Sequence, residues 1–426
     1  MSYGCQQDVL KLDGFEQSVI EFLCQRANSL TNCAIYQLKR SMQQTGKIDF
    51  NYPELAGYLK DNFHYKAMFS QTAQQVLMGV CEAFKSYSEL LSMWFRGELN
   101  DKPRPPKYLK KYGLAGISFP SQHLRLNEAI ETGLIRLPLG QFISTEELVD
   151  AIYIPAPANI HPERIREIRI FPRNQCFYIE YVYKKPAAKL TLNPKNALGI
   201  DSGIKNWLTC VSTLGDSFII DGKLPNFWNH TFNREVAKHN KGYWSKKLAL
   251  MTETRNRRMR DYINKVSRYI ADYCTENDIG TVVFGWNPGV KVGSDLGKRN
   301  NQNFVQLPSA KLKERLKVVL EEIGVNWVET EEAYTSKASF LDSDSLPLYG
   351  QKPDDWIASG KRIATKLYRT AKGWVINADC NGAANIIRKV ASSLEISLDK
   401  IARGCVTSPR RLTLSRLNAP KLSIQR

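Results

Sequence analysis

The run Gly199–Asn206 reads Gly-Ile-Asp-Ser-Gly-Ile-Lys-Asn and joins two apolar segments, 197–198 and 207–211. A carboxylate within an otherwise buried strand costs free energy unless something binds it. A divalent metal ion is the simplest partner for Asp201. The glycines beside it let the backbone turn tightly and leave room for a bulky ligand such as a phosphate. The run therefore predicts a metal site of the nuclease type, provided that acidic residues from later in the chain reach Asp201.

The charge of the chain favours a polyanionic partner. Its 426 residues carry a formal net charge of +18, and an excess of this sign and size is typical of nucleic-acid binding, with a plain basic surface as the alternative. No stretch of about 18 apolar residues predicts a membrane span, and the first residues lack the pattern of a signal peptide. A cytosolic protein that does not bind membranes is expected.

The pattern of apolar residues changes along the chain. Residues 13–98 show helical spacing, and a segment with Gly and Pro at 97–106 ends it. Short alternating strands follow to about residue 192 and indicate a small antiparallel barrel or sandwich. Over 197–390, strands alternate with helices, which predicts an α/β layer architecture. Basic residues outnumber acidic ones over 391–426, so a flexible basic tail is expected there.

Two later acidic positions are candidate partners of Asp201. Asp379 lies near the start of a predicted helix whose small residues, 382–384, let it pack close to a sheet; its ordinary role would be a helix cap. Glu332 follows an apolar strand, and ligands bind where the strands of open α/β sheets end; a solvated acidic loop is the alternative. Three such carboxylates can hold two Mg²⁺ ions about 4 Å apart for phosphodiester cleavage.

A long helix predicted before the strand at 281–284 carries basic side chains away from its apolar stripe. We interpret these as contacts to a nucleic-acid backbone, with a solvated helix face as the alternative. A polar and basic loop after the strand is a further candidate contact, or a solvated loop. The residues are Arg255, Arg257, Arg258, Lys265 and Arg268 in the helix and Lys298 and Arg299 in the loop.

Together these motifs resemble the OrfB/TnpB proteins of bacterial insertion sequences, which are related to the miniature type V CRISPR effectors and the eukaryotic Fanzor proteins. The resemblance rests on four segments: Gly199–Asn206, the helix at 257–270, Tyr334–Lys337 and Asn377–Asn385. It implies an α/β RNase H-like (RuvC) nuclease domain with a mixed sheet over 196–390. It also implies a wedge-like β-barrel from residues 1–12 and 99–195, with an inserted N-terminal helical bundle at 13–98.

One departure from the family pattern concerns the middle acid of the site. The family ends the strand equivalent to 281–284 with a catalytic Glu, but here Gly285 follows that strand. Some relatives carry the acid on the neighbouring strand, before the Tyr-Thr-Ser motif. The resemblance therefore assigns this role to Glu332, with Glu331 as the fallback. The two strands are adjacent in an RNase H-like sheet, so a relocated carboxylate would reach the same metals.

The other departure concerns the zinc ribbon. The family has Cys-x-x-Cys after the Thr-Ser motif, whereas Ser339 and Asp342 stand at those spacings here. No two of the 9 cysteines form a Cys-x-x-Cys pair, which argues against a ribbon. We therefore predict no structural zinc, and the insert 338–374 takes the place of the ribbon. Nothing in the sequence indicates what holds this insert in shape.

The resemblance implies a transposon-encoded, RNA-guided DNA endonuclease. Asp201, Glu332 and Asp379 would be its catalytic residues and its ligands for Mg²⁺ or Mn²⁺. The expected partners are a guide RNA from the transposon end and a double-stranded DNA target, and the protein would act as a monomer in the cytoplasm, on the nucleoid when DNA is bound. Two alternatives stay open: a nuclease-dead, RNA-guided DNA-binding protein, and an RNase H-like transposase that acts without RNA.

Overall fold

The computed structural model describes residues 2–46, 51–147, 149–185, 190–239, 245–287 and 308–418. The loop residues Lys298 and Arg299 lie outside these ranges, so their predicted contacts stay predictions. The chain divides into two compact units, Met1–Ala187 and Ala188–Arg426. Across the described ranges, no helix is both long and apolar enough to cross a bilayer.

The first unit combines helices with antiparallel strands. Its strands are β1 (Ser2–Val9), β2 (Ile117–Pro120), β3 (Leu134–Pro138), β4 (Ala151–Pro155), β5 (Ile165–Arg173) and β6 (Cys176–Lys185). Its helices are α1 (Gly14–Thr45), α2 (Tyr52–Leu59), α3 (Phe63–Lys66), α4 (Ser70–Phe95), α5 (Leu126–Thr132) and α6 (Gln141–Glu147). The described strands form a four-stranded sheet of order β1-β6-β5-β2 and a separate β3-β4 pair. Closure of these strands into a barrel stays a prediction.

The second unit is built on a mixed sheet. Its strands are β7 (Ala197–Ser202), β8 (Asn206–Ser212), β9 (Ser217–Asp221), β10 (Thr281–Gly285), β11 (Asn326–Thr330), a small set β12 (Lys361–Ala364), β13 (Leu367–Arg369) and β14 (Val375–Asn377), and β15 (Arg410–Leu412). The main sheet has the order β11-β10-β7-β8-β9-β15. β7, β8 and β9 form an antiparallel meander, while β10 is parallel to β7 and β11 is parallel to β10. The predicted mixed sheet is confirmed, and β10 and β11 are neighbours.

Helices cover both faces of this sheet. They are α7 (Lys223–Val236), α8 (Lys246–Glu276), α9 (Ser309–Glu322), α10 (Ala378–Ala391), α11 (Arg403–Thr407) and α12 (Leu414–Asn418). Side chains of a strand alternate between faces. Leu198 and Ile200 of β7 therefore pack in the core beneath α8 and α9, whereas Ala197 packs in the core beneath α10. Asp201 has the same parity as Ala197, so β7 directs it to the α10 face.

The flexible tail predicted over 391–426 is wrong for the residues that the structure describes, 391–418. α11, β15 and α12 lie in this segment, and β15 extends the main sheet in parallel with β9. Val406 is fully buried and Leu412 is 6% exposed. The expectation rested on the excess of basic residues. The few apolar side chains outweigh that excess, because each contributes roughly 1.5–3 kcal/mol when buried.

Candidate active site

Asp201 lies at the end of β7, where the strand emerges from the core. The four residues before it are buried, whereas Asp201 is partly exposed. The helix α10 approaches β7 closely: a Cβ atom at Gly199 would lie 2.4 Å from Cγ1 of Ile387, and one at Gly382 would lie 3.0 Å from Oδ2 of Asp201. Glycine at both positions therefore lets the helix lie directly against the strand, as its small residues predicted.

Asp379 is the second residue of α10, which begins beside the end of β7. The Asn377 side chain caps this helix, since its Oδ1 accepts from the backbone N–H groups of Asp379 and Cys380, both at 3.0 Å. The cap leaves the Asp379 carboxylate available for other partners. Its Oδ1 accepts from Nη2 of Arg362 at 2.7 Å, and its Oδ2 accepts from Nδ2 of Asn206 at 2.6 Å.

Glu332 fills the space next to Gly285. Gly285 ends β10 and pairs with Thr330 of β11. A Cβ atom at position 285 would lie 2.9 Å from both Cγ and Oε1 of Glu332, closer than real Cβ atoms approach. Asn287 holds the acid there, because its Nδ2 donates to Oε2 of Glu332 at 3.3 Å and its Oδ1 accepts from the backbone N–H of Glu332 at 3.1 Å.

Glu331, the fallback for this role, has a different partner. Its Oε1 accepts a hydrogen bond from Nζ of Lys389 on α10. The Lys389 side chain is only 4% exposed, and a buried ammonium depends on its counter-charge. Glu331 therefore neutralises Lys389, and Glu332 is the better candidate for the site.

The electrostatics of the three carboxyl groups favour a bound cation. Burial raises the pKa of Asp201 well above its ordinary value, the charges of Glu332 and Asp379 raise it further, and the Arg362 guanidinium opposes them. Burial also raises the pKa of Glu332 to about 7. One guanidinium cannot balance three ionised carboxylates. Mg²⁺ and Mn²⁺ prefer oxygen ligands, so this donor set fits either ion.

The ligands are not assembled around one point. In the described part of the chain, no three His, Cys, Asp or Glu side chains form a ready set of ligands for a single ion. Both oxygens of Asp379 accept hydrogen bonds from Arg362 and Asn206. A metal held by Asp379 would therefore have to displace the Arg362 guanidinium, whose side chain is 43% exposed.

A cavity of about 1110 Å³ opens onto Asp201 and Asp379. Four cationic side chains line it, against the two acids Asp201 and Asp379. The cationic side chains are Lys205, Lys223, Lys366 and Arg362. Because phosphate groups are attracted to such a lining, the cavity is suited to a nucleic-acid backbone.

A chain of polar contacts supports the Asp379 carboxylate from the sheet. Asn206, which donates to Asp379, accepts in turn from Nη2 of Arg411 at 2.8 Å. Arg411 lies on β15, and its Nη1 forms an ion pair with Asp221 at 3.3 Å. The strand in the supposed tail therefore orients a residue of the site. Sequence reasoning missed Asn206, Arg411 and Asn287, although Asn206 ends the run that defines Asp201.

The insert 338–374 is held by two carboxylates. Asp342 Oδ2 accepts from the hydroxyl of Ser339 at 2.6 Å and from the backbone N–H of Ala371 at 2.7 Å. Asp344 Oδ2 accepts from the backbone N–H groups of Ser339 and Ser359, at 2.7 Å and 3.0 Å. Ser339 and Asp342 stand where the family has its first cysteine pair. Hydrogen bonds to these two acids thus tie together three turn and loop segments of the insert, at 339, 359 and 371.

Two asparagines of α10 anchor the start of this insert. Asn385 Nδ2 donates to the carbonyl groups of Thr335 and Ala338, at 2.9 Å and 2.8 Å, and Asn381 Nδ2 donates to that of Ala338 at 2.8 Å. The Asn381 Oδ1 accepts from the backbone N–H of Phe340 at 2.9 Å. The two sequence motifs at 334–337 and 377–385 are therefore one structural unit, and it fixes the chain just after Glu332.

The basic residues of α8 differ in what they contact. Arg255 donates from Nε to Oδ1 of Asn229 at 2.8 Å and lies 5.0 Å from the ring centre of Phe232; it links α8 to α7 and does not present a free charge as predicted. Lys265 and Arg268 form ion pairs with acids one turn away, Asp261 at 2.7 Å and Asp272 at 3.0 Å. Arg257 and Arg258 are exposed, and their nucleic-acid contacts stay predictions.

Comparison with known proteins adds one sequence match and several distant structural likenesses. Residues 180–291 match the OrfB_IS605 family model, described as a probable transposase, so the predicted resemblance is confirmed. The Cas12f1 chain of a complex with sgRNA and target DNA is 14% identical, with a TM-score of 0.49 over 88% of this chain and 83% of that chain. CRISPR-Cas_phi3, a mini-RNA-guided endonuclease, is 10% identical, with a TM-score of 0.43 over 91% and 92%. No curated protein matches the sequence.

Proposed function

We propose that this chain, which carries the OrfB_IS605 segment of the probable transposases, is a transposon-encoded, RNA-guided DNA endonuclease. The observation that carries the proposal is the position of Glu332. Its carboxyl group lies where a side chain at Gly285 would extend, beside the end of β7 that holds Asp201. This exchange supports an active nuclease, because the acid that the family pattern has at the end of this strand, and that this chain lacks at 285, is supplied in the same space.

Asp201, Glu332 and Asp379 would hold Mg²⁺ or Mn²⁺. When bound, the metal supplies an activated water and stabilises the leaving oxygen in phosphodiester hydrolysis. The protein residues around it have separate tasks. Asn287 holds Glu332 against Gly285, and Asn206 orients Asp379. The lysines of the cavity attract the phosphodiester backbone.

The nucleic-acid partners are proposed on two grounds. The net charge of +18 favours a polyanion, and the cationic cavity leads to the acids. The guide RNA and its origin at the transposon end follow from the OrfB/TnpB resemblance. A monomer that binds double-stranded target DNA completes the proposal.

The proposal is tested by cleavage of a plasmid target. The protein is coexpressed with its transposon end, the RNA that copurifies is sequenced, and a matching plasmid is incubated with the complex and Mg²⁺. We expect cleavage by the wild type and none by Asp201→Asn or Glu332→Gln. Glu331→Gln is the control for loss of a neighbouring acid; because it leaves the buried Lys389 without its counter-charge, it is assayed below its own Tm, where it should still cut. A complex that binds the plasmid but never cuts it would refute the nuclease assignment.

One observation favours a second candidate, the nuclease-dead RNA-guided DNA-binding protein. Arg362 places a guanidinium on Asp379, where a metal would have to bind. If that ion pair persisted in the complex with DNA, Asp379 would stay paired with Arg362 and would not be available to a metal. The same plasmid assay separates the two candidates. A transposase that acts without RNA would instead be active after purification free of nucleic acid.

A further inference from the structure

The helix α7 presents one face to the cavity that contains Asp201 and Asp379. Lys223, Asn226, Phe227 and His230 line this cavity. Their spacing of three, four and seven residues places them on one side of a helix. The opposite side packs onto α8, where the ring of Trp228 lies 6.1 Å from that of Tyr262. In the described part of the chain, the cavity-facing side is therefore not taken up by packing onto α8, although Phe227 also borders a smaller pocket between α7 and α8.

Phe227 is unusual on this face because its ring is exposed. It is 62% exposed, although it lies in the cavity with the candidate metal ligands. Apolar surface that stays in water gains no free energy from burial, so a ligand that covers the ring would be favoured. Lys223 lies one turn before it on the same face. In a nucleic-acid strand, an aromatic ring can stack on a base while a neighbouring cation contacts a phosphate.

The ligand that fits is a single strand rather than a duplex. A side chain can stack on a base only if that base has a free face, and the bases of a duplex cover one another. The acids at the floor of the cavity require a strand whose phosphodiester reaches them. Lys205 and Lys366 line the same cavity, where their charges attract the phosphates of such a strand.

We propose that Phe227 stacks on a nucleobase of the DNA strand that enters the site, while Lys223 contacts a phosphate of the same strand. This inference rests on the proposed function and names how its substrate is held. Phe227 is a positioning residue: it fixes the strand, and Asp201, Glu332 and Asp379 act on the phosphodiester.

Binding is measured without cleavage, in the full-length Asp201→Asn protein with EDTA present. The probe is a fluorescein-labelled single-stranded DNA that carries 2-aminopurine near its centre. We expect Phe227→Ala to weaken binding on the order of tenfold, since one base stacked on an aromatic side chain contributes about 1–3 kcal/mol. Phe227→Trp should retain binding and quench the 2-aminopurine. Phe95→Ala is the matched control, since Phe95 of α4 is 73% exposed and belongs to the first unit.

Salt dependence separates stacking from charge. Lys223→Ala should lower the slope of log affinity against log salt by about 0.7, as for one phosphate contact to a single strand. Phe227→Ala should leave that slope unchanged. A disturbed fold would not produce this division between the two variants. Equal affinity for Phe227→Ala and its parent, or no rescue by Phe227→Trp, would overturn the inference.

The inference and the proposed function fail in different ways. If the wild type never cuts but Phe227→Ala still loses binding, the strand contact stands and the nuclease assignment fails. If the wild type cuts and Phe227→Ala binds and cuts equally well, the nuclease assignment stands and the contact with Phe227 is refuted.

Discussion

Replacing Glu332 by Gln should stabilise the metal-free protein, although it should abolish cleavage. The reason is that the folded site buries the Glu332 carboxyl group, which makes its ionised form costly in the absence of a cation. The pKa of Glu332 lies at about 7 in the fold, raised by burial from 4.5. An acid whose pKa is raised on folding contributes to the stability of the fold at pH values below its unfolded pKa. That contribution is lost as the pH rises through the pKa of the folded state. The loss therefore falls between about pH 4.5 and about pH 7.

The size of the effect follows from the difference between the two pKa values of Glu332. Each unit of difference between the two pKa values corresponds to about 1.4 kcal/mol. Ionisation of this acid therefore lowers the free energy of unfolding by up to about 3 kcal/mol. Gln has the same shape and cannot ionise. Glu332→Gln should therefore match the wild type near pH 4.5 and exceed its free energy of unfolding by up to about 3 kcal/mol near pH 8. For a unit of this size, that is a rise in Tm of roughly 6–12 °C.

The assay is thermal unfolding in EDTA across this pH range, repeated with Mg²⁺. Mg²⁺ should stabilise the wild type and so narrow the difference in Tm between it and Glu332→Gln, because an ion that binds only the folded state raises the free energy of unfolding. Glu331→Gln is the control that should lower Tm instead of raising it, since it leaves the buried Lys389 without its counter-charge. A Tm difference for Glu332→Gln that does not grow with pH, or a variant less stable than the wild type at pH 8, would refute the reasoning.

Three further changes probe the same unit. Arg362→Gln should tighten Mg²⁺ binding by up to about fivefold in calorimetric titration, because the guanidinium no longer competes for Asp379; unchanged or weaker binding would contradict this. Asp342→Asn should cost about 1–3 kcal/mol and speed hydrogen exchange in the insert, since a carboxylate that accepts several hydrogen bonds is lost; unchanged exchange would exclude the role. Gly285→Ala should lower Tm and weaken Mg²⁺ binding together, because its Cβ would displace Glu332; wild-type values for both would count against this geometry.

Much of the nuclease unit could be predicted from sequence patterns. Apolar runs indicated the strands that contain Leu198, Val283 and Val328, and small residues after Asp379 indicated close packing of α10 on the sheet. These features could be predicted because they depend only on the periodicity of apolar residues and on residue size within a short segment. The structure brings Asp201 and Asp379 into one cavity for this reason.

The remaining features depend on contacts between distant parts of the chain. Nothing near Asn206 in the sequence indicates that Arg411, 205 positions later, would orient it. The choice between Glu331 and Glu332 likewise depended on Lys389 of α10. The flexible tail was predicted from its charge alone, and β15 contradicts it because Leu412 and its neighbours pair with β9. Composition is a property of the segment alone, whereas strand pairing depends on which sheet edge the rest of the fold leaves unpaired.

Gly285 and Glu332 are best understood as one feature of the site. A Cβ atom at 285 would lie 2.5 Å from Cδ1 of Ile386 as well as 2.9 Å from Oε1 of Glu332. Any side chain at 285 would therefore compete with the Glu332 carboxyl group for the same volume. Because β10 and β11 end side by side, a carboxylate from either strand can reach the neighbourhood of Asp201. The position of the oxygen atoms matters for metal binding, whichever strand end supplies them. Under the proposed function, the glycine therefore makes room for the acid that follows β11 and does not mark a lost one.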